Sequence, residues 1–122
     1  RAGHELPLFL RRRAEGEART EFVGSDGIAL GMVGDEIFSA AIGDRTESFV
    51  AGDLLVLYTD GLTEAPNEEE KEFAGFRLAD AVFSARNGSA RQVNDGVLEA
   101  LQRFAGDGVK RDDLTLVTIR RD

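Results

Sequence analysis

Cysteine is absent from this chain of 122 residues. That excludes disulfides, thiolate metal sites and a cysteine nucleophile together. No apolar run approaches the ~20 residues that cross a bilayer, and no secretory leader pattern is visible. Internal repeats and low-complexity linkers are lacking too. Positive charge is in short supply, with 15 Lys and Arg against 23 Asp and Glu and a formal net charge of −8. A surface of that sign argues against nucleic-acid and anionic-membrane binding. It suits solubility, cations or a basic partner, and a cytoplasmic setting is expected. The chain begins on Arg1 rather than Met, which reads as a piece of a longer protein with catalytic parts upstream.

What is present suffices for one domain. Hydrophobic residues make up 42% and charged residues 31%, an ordinary globular balance. LPLFLRRR (residues 6–13) reads as a strand, AEGEA as a hairpin tip and RTEFV (residues 19–23) as the returning strand. The basic cluster Arg11, Arg12 and Arg13 is expected to be a solvated part of that tip. GSDGIALGMVGD reads as loop. EIFSAAI and RTESFV read as short β segments joined by Gly43-Asp44. Ala51-Gly52 then turns tightly into DLLVLYT (residues 53–59). That segment is apolar on both faces and belongs in the centre of a sheet.

The second half has helical periodicity. EFAGFRLADAVFSAR puts Phe73, Phe76, Ala79, Val82 and Phe83 on one stripe, and Asn87-Gly88 stops it. Ser89 three residues before Gln92 is a capping box. Val93, Val97, Ala100, Leu101 and Phe104 form the inward stripe of the helix that follows, which ends at Gly106 and Gly108. DDLTLVTIR closes the chain as an apolar strand. The order predicts an α+β fold, two helices packed on a largely antiparallel sheet.

The carboxylates carry the chemistry. Asp60 follows one buried strand, and Asp112 and Asp113 precede another. If the two strands are antiparallel neighbours, these carboxylates meet at one end of the sheet. Close carboxylates repel, and a hard divalent cation such as Mg²⁺ or Mn²⁺ relieves the repulsion. The residues alone leave a second reading open: TDG is also good turn chemistry, with Gly61 at positive φ, and DD is a common loop terminus. Thr63, Glu64 and the acidic run Glu68 to Glu70 read as solvated loop polars, the run lying where acids suit a helix N-terminus. A flap touching a partner is the functional alternative for that run.

Four segments in order resemble the C-terminal half of the bacterial metal-dependent serine/threonine phosphatases of the SpoIIE/RsbU-like class, relatives of the protein phosphatase 2C family. They are AGHELPLFL (residues 2–10), GIALGMV (27–33), GDLLVLYTDGLTEA (52–65) and RDDLTLVTIR (111–120). The resemblance covers nearly the whole chain. It implies that residues 1–122 are the C-terminal portion of one such domain, part of an αββα sandwich. It implies metal ligation by Asp60 and Asp112, a more structural Asp113, and a site-lining His4. It also implies two Mn²⁺ or Mg²⁺ ions in the complete domain, hydrolysis without a phosphoenzyme, and a phosphorylated anti-sigma-factor-antagonist-like protein as substrate. A segment resembling GD-x-x-GKG, which supplies further carboxylates in the class, is missing; Gly34-Asp35 lacks the rest of it. The chain alone is therefore expected to hold about half of the site, to be inactive, and to self-associate through uncovered sheet surface. The alternative is a non-catalytic partner-binding module of the same fold.

Overall fold

A computed structural model describes residues 2–13, 16–106 and 113–122. Four strands form one sheet in the order β2-β1-β3-β4: β1 is Leu8–Arg12, β2 Ala18–Phe22, β3 Leu54–Tyr58 and β4 Leu116–Arg120. All three pairings are antiparallel, with Leu8 opposite Phe22, Leu10 opposite Leu54 and Tyr58 opposite Leu116. The apolar run of β3 thus lies between two neighbours, as its composition predicts. Its side chains alternate across the sheet. Leu54, Val56 and Tyr58 are buried, while Leu55 and Leu57 are only half covered.

The helices account for that difference. Helix α3 (Ala74–Ser84) and helix α4 (Ala90–Ala105) pack on one face. Leu78, Val82, Val93, Val97 and Leu101 meet Leu8, Leu10, Leu54, Val56 and Tyr58 in a single core. Ser89 caps α4 as the capping-box spacing predicts: its hydroxyl accepts from Gln92 N–H, and the Gln92 side chain accepts from Ser89 N–H at 2.8 Å. The opposite sheet face presents Leu55, Leu57, Val117 and Ile119, the last two each 44% exposed.

Several expectations are corrected. EIFSAAI is not a strand; Asp35–Ala41 is helix α1. Asp35 and Glu36 in its first turn complement the helix dipole, Ala40 and Ala41 are strong helix formers, and no residue of this helix is buried. RTESFV forms no ladder. Its carbonyls are instead met by arginines, Arg11 Nη1 donating to Ser48 O and Arg121 Nη1 to Phe49 O. On α3 the inward side chains are Leu78 and Val82, with Phe73 buried just before the helix. Phe76 and Phe83 point outward, each under a guanidinium, Arg77 at 4.4 Å and Arg86 at 4.2 Å from the ring centroids, so cation–π contact replaces burial.

In the arginine cluster Arg13 is exposed as expected, but Arg11 and Arg12 are not solvated. The Arg11 side chain is 13% exposed and reaches Glu21 at 2.9 Å, Glu47 at 2.6 Å and buried Asp53 at 3.7 Å. Its guanidinium holds the Glu21 carboxyl below the usual range. Arg12 donates to Arg86 O and to the Asn87 side chain, tying the β1 end to the α3–α4 turn. Close approach of Arg12 also explains a glycine. Gly52 has φ +92°, and a Cβ there would lie 2.8 Å from Arg12 Cδ.

Candidate metal centre

The end of β3 and the approach to β4 are adjacent, because the antiparallel register carries Tyr58 opposite Leu116. Beyond that pair, Thr59 N–H donates to Thr115 O at 3.2 Å. Thr115 N–H donates to the Thr59 hydroxyl at 3.0 Å, and that hydroxyl donates to Asp113 O at 3.4 Å. The described segment nearest Asp112 is therefore held at the carboxylate end of β3. Asp112 itself lies outside the described residues.

Asp60 does not sit in a simple turn. It opens helix α2 (Asp60–Thr63), a single turn closed by Glu64 N–H donating to Asp60 O at 2.8 Å. Gly61 is buried within that turn and is not among the positive-φ residues, so the positive-φ role is not needed. Burial without a side chain is its contribution. One Asp60 oxygen accepts from Gly61 N–H at 2.8 Å, and the carboxylate as a whole is exposed. Thr63 donates back to Asp60 O, and Glu64 is exposed.

Asp60 shares a recess of about 150 Å³ with Gly3, His4, Glu5, Tyr58 and Thr59. The AGH and TDG segments, 56 residues apart, thus meet at one site. His4 is exposed there, its Nδ1 lying 3.0 Å from Glu5 O. Gly3 reaches the recess at φ +93°, where a Cβ would lie 2.8 Å from Ala29 Cβ, so a side chain would collide with the segment behind it. Tyr58 is 4% exposed. Burial, and then the negative charge of Glu5, push its phenol up to about 12. Reasoning from sequence singled out neither Thr59 nor Tyr58. A hydroxyl one residue before the acidic group was the available signal for the first. Among the described residues no three His, Cys, Asp or Glu side chains cluster as a metal-binding group, and no described helix is long and apolar enough to cross a membrane.

The donor set suits a hard cation. Carboxylate oxygen is the preferred ligand of Mg²⁺ and Mn²⁺. Asp60 presents it at an open recess, with no ion pair to it among the described residues.

An antiparallel sheet with helices packed on it is the fold this chain shares with solved phosphatase domains. The Mn-presoaked phosphatase domain of SpoIIE from Bacillus subtilis superposes with a TM-score of 0.67 at 20% identity, over 99% of this chain and 48% of that one. The structure of the RsbU and RsbW domains of Rv1364c from Mycobacterium tuberculosis gives 0.66 at 29% identity, over 98% of this chain and 31% of that one. Residues 1–122 match the family described as Stage II sporulation protein E (SpoIIE), and the chain belongs to that family. It is also similar to Protein IcfG of Synechocystis sp., 26% identical over 121 residues. Those residues are 99% of this chain and 18% of the relative, so the chain spans under a fifth of that protein's length.

Proposed function

We propose that this chain supplies one side of the catalytic centre of a metal-dependent phosphatase acting on phosphoserine or phosphothreonine of a signalling protein, of the anti-sigma-factor-antagonist type. The observation that carries the reading is the position of Asp60. It stands in an open recess at the end of β3, beside the residues that lead into β4. Asp60 and Asp112 would hold Mn²⁺ or Mg²⁺, with two ions in the complete domain. Metal bound there would supply an activated water and neutralise phosphate charge. The chain's own residues have simpler tasks. The Gly61 amide orients one Asp60 oxygen, and the other would be offered to the ion. His4 lines the wall, and buried Tyr58 forms part of the floor as a neutral phenol. A protein substrate in a partner-switching pathway is supported by the family and by the RsbU-containing neighbour.

Residues 1–122 are read as the C-terminal portion of the domain, so the chain alone should bind metal weakly and turn over no substrate. The test is hydrolysis of p-nitrophenyl phosphate and of a phosphoserine protein by the domain completed with its upstream segment. Mn²⁺-dependent release of phosphate that Asp60→Asn reduces at least a hundredfold is expected. Equal rates with and without Mn²⁺, or an Asp60→Asn variant as active as its parent, would contradict the proposal. A completed domain that captures a partner yet never turns over would instead favour the non-catalytic binding module.

A further inference from the structure

Thr59 occupies an unusual junction. In a hydrogen-bonded antiparallel pair two facing residues exchange both main-chain bonds. Here Thr59 N–H donates to Thr115 O, but the return bond does not reach the Thr59 carbonyl. That carbonyl is turned away and accepts from Leu62 N–H at 3.0 Å, closing helix α2 behind Asp60. The Thr115 amide goes to the Thr59 hydroxyl instead, and the same hydroxyl reaches Asp113 O. One side chain thus replaces a carbonyl in the ladder. The replacement lets the chain leave the strand into the Asp60 turn without releasing the approach to β4.

We infer that Thr59 is a positioning residue for the metal centre, its hydroxyl fixing the spacing between Asp60 and the segment entering β4. It touches no reacting atom; it acts through Asp60 and the 113–115 backbone. The inference rests on the metal-site reading above. Valine keeps the β-branched shape and the extended backbone preference of threonine but can neither accept from Thr115 nor donate to Asp113. Serine keeps both capacities.

The test compares wild type, Thr59→Val and Thr59→Ser by amide NMR. Leu101→Ala serves as a control destabilised in the core, at a side chain that takes no part in the Thr59 hydrogen bonds. Two readouts are taken: exchange of the Thr115 amide, and broadening of the Gly61 amide during titration with Mn²⁺ alone. Thr59→Val should speed Thr115 exchange and raise the half-saturating Mn²⁺ concentration, each by about tenfold, as expected from the loss of one or two hydrogen bonds. Thr59→Ser should match wild type, and Leu101→Ala should leave the Mn²⁺ midpoint unchanged. Wild-type Mn²⁺ binding in Thr59→Val, or weakened binding in Thr59→Ser, would overturn the positioning role while leaving the metal site standing. An equal loss in Leu101→Ala would overturn it too, by reducing the effect to stability. No broadening of Gly61 in the wild type would overturn the metal-site reading and this inference with it.

Discussion

Asp53 accepts the main-chain amide of Arg12 at 2.8 Å with one carboxylate oxygen, just where the β1–β3 ladder ends at Leu10 and Leu54. The other oxygen accepts the Val50 amide at 3.1 Å, and Arg11 approaches the same oxygen at 3.7 Å. At 1% exposure this carboxylate is a structural extension of the ladder. Asp53→Ala leaves two amides and part of a guanidinium without their acceptor. It should cost about 3 kcal/mol of unfolding free energy in urea, and Asp53→Asn, which keeps one acceptor oxygen, about half that. A loss below ~0.5 kcal/mol in Asp53→Ala would show that water replaces the carboxylate.

Tyr58 is the single tyrosine of a chain without tryptophan, so phenolate absorbance near 295 nm reports on it alone. Its titration in the folded state should centre near 12 rather than 10. The sign for stability follows. A folded-state value raised above the unfolded one gives a contribution that is complete below about pH 10 and is lost as pH rises through about 12. Glu5→Gln should lower the midpoint by less than the whole shift, because burial is the larger cause. A folded midpoint at 10 would contradict the buried placement.

Val117 and Ile119 lie opposite Leu57 and Leu55 on the sheet face away from the helices. Left uncovered, such a face promotes association. Sedimentation of the chain should show concentration-dependent self-association that Val117→Lys with Ile119→Lys abolishes, at little cost to folding because both sites are partly solvated. A wild-type monomer across the accessible concentration range would contradict this.

Gly3 carries a structural prediction at the recess itself. With φ +93° and Ala29 Cβ 2.8 Å from a would-be Cβ, Gly3→Ala combines backbone strain with a collision. It should destabilise by ~1–2 kcal/mol and perturb the amides of His4 and Asp60 before those of α4. Uniformly unperturbed recess amides would argue against the packing of the AGH segment there.

Strands β1, β3 and β4 were legible because they carry apolar runs, β2 because it returns after a turn-like stretch, and Ser89 with Gln92 announced α4 by local chemistry alone. Helix α1 was misread because it buries nothing: with no core face, the apolar residues of IFSAAI reflect no period that a pattern can detect. Phe76 and Phe83 were misplaced because their arginine partners make exposure tolerable. Arg11 could not be read at all. Its partners Glu21, Glu47 and Asp53 come from three separate segments, and only the fold assembles them. Asp60 was singled out as a candidate from its place after an apolar strand, but the turn chemistry of TDG concealed a helical turn. The meeting of Asp60 with His4 required the β1–β3 pairing, which no local motif specifies.

The most direct test of the account is Mn²⁺ titration of this chain beside Asp60→Ala and Asp112→Ala, followed by calorimetry and by amide broadening. The account predicts weak binding, broadening centred on Gly3, His4 and Gly61, and loss of both signals in either variant. Binding that is indifferent to Asp60→Ala, or broadening centred away from the recess, would contradict it.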